Sequence, residues 1–133
     1  MGRTDDIINV AGHRLSTGQM EQIVAQQDGV AECAVIGADD AIKGMIPIAF
    51  VVPRAGFEGD GGMAARVLAA VRHELGAVAA LKTAFVVQSL PKTRSGKILR
   101  NLLRKIVNGE EYGIPPTIED PSVPDLIAAA VRG

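Results

Sequence analysis

The chain has 133 residues and a mass of 13.9 kDa, the size of one small domain. Hydrophobic residues make up 47% of it, too many for a disordered chain, and aromatic residues only 3%, so the core must be aliphatic. A net charge of -1 argues against a dedicated nucleic-acid-binding protein. No apolar run approaches the roughly 20 residues that span a bilayer, and no signal peptide is visible. The single cysteine, Cys33, excludes an internal disulfide, so we expect a soluble, cytoplasmic protein.

The first half of the chain predicts a hairpin, a helix and two strands. Ile7 to Val10 and residues 13–15 flank an Ala-Gly turn, which favours a β-hairpin. Ser16 is a good N-cap, and the apolar spacing after it predicts an amphipathic helix over 17–27. Runs rich in Val and Ile predict the next two strands, at 30–37 and 45–52.

The second of these strands contains Pro47, which cannot donate a ladder hydrogen bond, so the strand should lie at an edge or be irregular there. The remaining predicted elements are a helix over 63–75, a strand at 84–88, a helix from 98 to near 109, and a short helix over 125–131. Four prolines in residues 113–124 predict a largely extended segment. This order predicts a small α+β domain, in which helices flank the hairpin and a short sheet of about three strands.

A basic stretch from residue 91 to 105 is the segment most suggestive of chemistry. It contains no acid and six cations, namely Lys92, Arg94, Lys97, Arg100, Arg104 and Lys105. Gly96 places Lys97 on a loop before a helix, where its ammonium could enter an anionic site as a point charge. The loop is not a P-loop, because Pro91 and Ile98 stand where that motif needs Gly and Ser or Thr. Composition alone leaves a solvated helix face as an equal alternative.

Two motifs make the sequence resemble a known family. Leu90 to Arg100 (LPKTRSGKILR) and Gly2 to Thr17 (GRTDDIINVAGHRLST) resemble the small C-terminal domain of the adenylate-forming acyl-CoA synthetases. Their wording and the tail motif PPTIEDPS are most similar to propionyl-CoA synthetases, within the acetyl-CoA synthetase branch. The resemblance implies that the whole chain, 1–133, is the mobile domain, with a hinge at about 3–6 and a Pro-rich tail at 110–133. It also implies a large N-terminal adenylation domain, which is absent from this chain.

The resemblance implies a ligase that works in two steps. A short-chain carboxylate and ATP with Mg²⁺ give an acyl-adenylate and pyrophosphate, and the CoA thiol then displaces AMP to form the thioester. Propionate is the expected carboxylate, with acetate or another short-chain acid as the alternative. The small domain is expected to rotate between the two steps. The isolated chain is expected to be inactive, because the substrates bind largely to the N-terminal domain.

The resemblance also implies roles for individual residues. Lys97 matches the lysine of the adenylation step, whose ammonium offsets the repulsion between the carboxylate and the α-phosphate. It is also the expected target of a protein acetyltransferase and deacetylase. Asp5 matches the hinge, and no metal site is predicted. The matches to substrate contacts are Arg3 and Arg14 for the nucleotide, and Ala11, Gly12 and Arg72 for CoA.

Alternatives remain for some of these assignments. Arg72 could equally be a solvent-facing helix residue, and Arg14 an ordinary hairpin residue. The chain could also be a stand-alone module that binds nucleotide or CoA without turnover. A nucleic-acid-binding domain is disfavoured, because the basic stretch lacks interleaved aromatic residues for base stacking. We therefore expect neither nucleic acid nor membrane among the partners.

Overall fold

The structure is a computed structural model, and it describes residues 7–10, 12–42, 44–57, 61–76 and 81–132. The elements in chain order are β1 (Ile7–Val10), β2 (His13–Ser16), α1 (Thr17–Ala25), β3 (Val30–Asp40), β4 (Gly44–Pro53), α2 (Met63–Leu75), β5 (Ala84–Val86), α3 (Arg100–Val107) and α4 (Val123–Arg132). The predicted α+β class is confirmed, and every predicted helix and strand has a counterpart. None of the helices within these ranges is long and apolar enough to cross a lipid bilayer.

One five-stranded sheet forms the centre of the fold. The strand order is β2-β1-β4-β3. Strand β5 pairs with the same edge of β4 as β1 does, further along β4. The hairpin β1–β2 and the long pair β3–β4 are antiparallel, whereas β5 runs parallel to β4. The predicted hairpin and the predicted three strands therefore belong to the same sheet.

Strand β4 is central, yet it accommodates Pro47 without losing a hydrogen bond. The N–H of Ala49 donates to the carbonyl of Thr83 on the β5 side, at 3.1 Å. Because successive N–H groups of a strand alternate between its two edges, the ring nitrogen of Pro47 faces that same edge. There it lies between the pairing of Gly44 with β1 and the pairing of Ala49 with β5. The irregularity predicted at Pro47 is therefore the point at which the neighbour of β4 changes from β1 to β5.

Helices cover both faces of the sheet over two aliphatic clusters. Helices α1 and α2 pack on one face over residues such as Met20, Val24, Val35, Val51 and Val67, which are 0–1% exposed. On the other face, α3 and α4 pack over residues that include Ile36, Phe50, Leu103 and Ile127. The low aromatic content is matched by a core in which Phe50 is the one fully buried aromatic side chain among the described residues.

Two helix starts differ from the predicted positions. Helix α3 begins at Arg100 rather than at residue 98, because Ile98 pairs with Lys92 in an isolated bridge and the N–H of Leu99 donates to the carbonyl of Pro91, at 2.9 Å. Helix α4 begins at Val123, two residues early. Pro124 is tolerated there because N–H groups in the first turn of a helix need no intrahelical acceptor.

Candidate functional site

Residues 92–98 form a tight hairpin, here called the lysine hairpin, which presents Lys97. The N–H of Thr93 donates to the carbonyl of Lys97 at 2.8 Å, and the N–H of Gly96 donates to the carbonyl of Thr93 at 2.9 Å. Gly96 has a φ of 93°, in the left-handed region that glycine enters at little cost. The segment predicted as a Gly-containing loop is therefore a hydrogen-bonded turn.

The C-terminal tail holds the lysine hairpin against the domain. Thr93 and Ile118 form an antiparallel bridge. On either side of it, the N–H of Glu119 donates to the carbonyl of Lys92 at 2.8 Å, and the N–H of Arg94 donates to the carbonyl of Thr117 at 3.1 Å. Ile118 is 4% exposed and belongs to the core under α3 and α4. The segment 113–124, predicted to be largely extended, instead has turns at 116–117 and 121–122 and enters α4 at Val123, and it pairs with the lysine hairpin through an isolated bridge.

Lys97 differs from several other cations of the basic stretch. Within the part of the chain that the structure describes, its exposed ammonium has no hydrogen-bond or ion-pair partner. The fold uses three of the other cations in ion pairs: Lys92 with Glu32, Arg100 with Glu21, and Arg104 with Asp39. The stretch therefore contains three cations paired within the domain and three exposed cations, Arg94, Lys97 and Lys105, for which the described residues provide no such partner.

The Glu21–Arg100 ion pair connects α1 on one side of the sheet with α3 on the other. Both oxygens of Glu21 accept from the guanidinium, and Oε2 also accepts from the N–H of Val35, at 3.1 Å. The two side chains are only 15% and 18% exposed. Since the N–H of Val35 faces the outer edge of β3, Glu21 connects α1 both to that edge and, through Arg100, to α3. Sequence reasoning missed it, since the partners are 79 residues apart.

Cys33 is a structural residue, as predicted. It is 6% exposed, and its Sγ donates to the carbonyl of Glu21 at 3.3 Å. Burial, followed by the nearby negative charge of Glu21, raises the pKa of the thiol to about 12. The thiolate form is therefore scarce at neutral pH, and the cysteine is no candidate nucleophile.

The other predicted site residues lie on separate elements. Gly12 is exposed at the β1–β2 turn with a φ of 87°, and an added Cβ would meet no atom within 4 Å. Arg14 is exposed on β2 opposite Asn9, and Arg72 is exposed in the last turn of α2. Among described residues, no hydrogen bond or ion pair joins these side chains to Lys97. The predicted Arg3, Asp5 and Ala11 lie outside the described residues.

A resident metal site is not formed by the described residues. Across those ranges, no three side chains of His, Cys, Asp or Glu approach one another closely enough to bind an ion. The described functional groups are instead surface groups, presented by a hairpin, a turn and a helix end. The structure is therefore that of a small α+β domain with exposed cationic side chains at its surface.

Comparison with known proteins identifies the family. Residues 19–97 match the family described as AMP-binding enzyme C-terminal domain. The chain belongs to this family, the C-terminal domains of AMP-forming acyl-CoA synthetases. The match ends at Lys97, so α3, the tail and α4 lie beyond it.

Individual relatives agree with this membership. The chain is 50% identical to acyl-CoA synthetase short-chain family member B of Dictyostelium discoideum, over 92% of this chain and 18% of that protein. It is 46% identical to acetyl-coenzyme A synthetase of Emericella nidulans, over 98% of this chain and 20% of that protein. The structure of Brucella canis acyl-CoA synthetase superposes with a TM-score of 0.70 at 39% identity, over 79% of this chain and 19% of that chain. The chain thus spans about a fifth of the length of these proteins.

Proposed function

We propose that this chain is the C-terminal domain of a propionate–CoA ligase, in which Lys97 assists formation of the acyl-adenylate. The observation that carries the proposal is the exposed ammonium of Lys97, which has no partner among the described residues and stands on a backbone held by hydrogen bonds. Membership of a family of AMP-forming synthetases supplies the chemical context. ATP with its Mg²⁺, the carboxylate and CoA are the proposed substrates, and the chain's own N-terminal adenylation domain is the proposed partner.

The chemistry of adenylation explains why a cation is needed. A carboxylate oxygen attacks the α-phosphorus of ATP, and the bond from that phosphorus to the pyrophosphate oxygen breaks. Both reactants are anions, so an ammonium placed between them reduces their repulsion and stabilises the negative charge of the transition state. Lys97 is the proposed source of this cation, a role supported by its hydrogen-bonded backbone and its exposed side chain.

The thioester step would use a different part of the surface. We propose that the turn at Gly12, with Ala11, lines the path of the CoA chain, since a turn without side chains permits a close approach. Arg72 would contact CoA, and Arg3 and Arg14 would contact the nucleotide through paired N–H donors. Exposure of Arg14, Arg72 and Lys97 on three separate elements supports two orientations of the domain, which turn about a hinge at Asp5. The buried, reduced Cys33 fits a cytoplasmic enzyme.

Substrate assays on the longer protein that contains this chain test the proposal. We expect CoA-dependent AMP release with a higher kcat/KM for propionate than for acetate or butyrate. A higher kcat/KM for acetate would make acetate the preferred substrate, and the protein would still be a short-chain acyl-CoA ligase. Absence of AMP release with every short-chain acid would contradict the proposed activity. The isolated chain should release no AMP, because the carboxylate and ATP are proposed to bind largely to the N-terminal adenylation domain.

Acetylation of Lys97 is a proposed form of regulation, because it removes the charge that adenylation needs. Lys97 is exposed, whereas the ammonium of Lys92 donates to Glu32 Oε2 at 2.7 Å. After treatment with a lysine acetyltransferase and acetyl-CoA, mass spectrometry should find acetyl groups on Lys97 in preference to Lys92. As a control, Glu32→Ala should release Lys92 and raise its acetylation. Modification concentrated on Lys92 in the unaltered protein, or full adenylation by acetyl-Lys97 protein, would contradict the proposal.

A further inference from the structure

We infer that Thr93 is a positioning residue that sets the direction of the Lys97 side chain for adenylation. The inference rests on the proposed function of Lys97 and adds a second residue to it. It follows from one feature of the lysine hairpin, namely that both backbone polar groups of Lys97 are bonded to Thr93.

The contacts between the two residues are specific. The carbonyl of Lys97 accepts from the N–H of Thr93 at 2.8 Å, and the N–H of Lys97 donates to Thr93 Oγ1 at 3.1 Å. The same hydroxyl lies 2.9 Å from Ser95 Oγ, inside the turn. Thr93 therefore fixes the peptide groups on both sides of the Lys97 Cα, from which the lysine side chain projects.

The hydroxyl of Thr93 contributes to this geometry in a way that the rest of the fold does not replace. Among the described residues, no other group accepts the hydrogen bond from the N–H of Lys97. Without Oγ1 this N–H would turn to water, and the peptide group before Lys97 would be free to rotate. A four-carbon side chain amplifies such a rotation at its ammonium, and a misplacement of about 1 Å can cost on the order of 10²-fold in rate.

The strand that carries Thr93 is held independently of its hydroxyl. The tail pairs with it through the bridge to Ile118 and through the backbone hydrogen bonds of Lys92 and Arg94. These contacts come from a tail that lies beyond the family match at residues 19–97. Loss of the hydroxyl should therefore alter the direction of Lys97 and leave the domain folded.

The test compares Thr93→Val, which removes the hydroxyl at nearly constant shape, with Thr93→Ser, which keeps it. Both are made in the longer protein, alongside Lys97→Ala and the double variant. We expect Thr93→Val to lower kcat for propionate-dependent ATP–pyrophosphate exchange about tenfold, the factor that corresponds to one neutral hydrogen bond, with KM for ATP nearly unchanged. Thr93→Ser should remain within about twofold of the unaltered protein, and thioester formation from supplied propionyl-adenylate should be unaffected in both.

Several outcomes would overturn the inference, and they differ from failure of the proposed function. Full exchange by Thr93→Val, with exchange lost in Lys97→Ala, would contradict the role of Thr93 alone. Equal loss in both half-reactions, without rescue by Ser, would make Thr93 a general folding residue. If Thr93 acts through Lys97, the double variant should be no slower than Lys97→Ala, and a further tenfold loss would contradict that route. Full exchange by Lys97→Ala would instead remove the proposed function of the lysine, and with it the inference.

Discussion

Replacing Lys97 with Ala in the longer protein should lower carboxylate-dependent ATP–pyrophosphate exchange by about 10²–10³-fold, the loss typical of removing one electrostatic stabiliser of a transition state. The ammonium is exposed and has no partner among the described residues, so its removal breaks no contact that holds the domain together. The expected loss is therefore one of chemistry and not of folding.

Lys105→Ala provides the matched control. Lys105 lies exposed on α3, and its removal changes the net charge by the same amount. We expect its exchange rate to stay within about twofold of the unaltered protein, as for a surface substitution away from the site. A comparable loss in Lys105→Ala would show that the exchange rate responds to the overall charge of the basic stretch, and would contradict a specific role for Lys97.

Replacing Glu21 with Ala should lower the free energy of unfolding by about 1.5–3 kcal/mol, the range for loss of hydrogen bonds to a charged group in a largely buried position. The substitution leaves the guanidinium of Arg100 unpaired and removes the acceptor of the Val35 N–H on the outer edge of β3. Urea denaturation of the chain, followed by circular dichroism, would measure the change.

Glu32→Ala is the control for the stability prediction. It also removes a carboxylate from an ion pair, but the side chains of Lys92 and Glu32 are 23% and 38% exposed. Such a partly solvated pair should contribute no more than about 1 kcal/mol. If the two variants unfolded at the same urea concentration, the Glu21–Arg100 pair would be no more important than a surface ion pair.

Features set by neighbouring residues could be predicted from the sequence. The N-cap at Ser16 is formed as expected, with its Oγ accepting from the N–H of Gln19 at 3.1 Å. Helix α2 has the predicted bounds, Met63–Leu75, because a regular apolar stripe defines them. The hairpin was likewise visible as two short runs around a turn.

Features that depend on distant partners could not be predicted. Neither the parallel pairing of β5 with β4 nor the Glu21–Arg100 pair leaves a local pattern in the chain. The start of α3 was predicted two residues early for the same reason, since the bridge between Lys92 and Ile98 competes with the helix.

The same distinction between local and distant interactions applies to the candidate site. The motif around Gly96 singled out Lys97, but no pattern indicated that the tail would pair with the lysine hairpin at Ile118. Nor did the sequence indicate that Thr93 would bind both peptide groups of Lys97. The roles assigned to Arg3, Asp5 and Ala11 stay predictions, because those residues lie outside the described part of the chain.

The most direct test of the role of Lys97 separates the two half-reactions in a single protein. The Lys97→Ala protein is supplied with propionyl-adenylate and CoA, and the initial rate of propionyl-CoA formation is compared with its rate of ATP–pyrophosphate exchange. An adenylation lysine predicts a thioester rate within about twofold of the unaltered protein, while exchange is about 10²–10³-fold slower. Equal losses in the two half-reactions, or no loss in exchange, would contradict it.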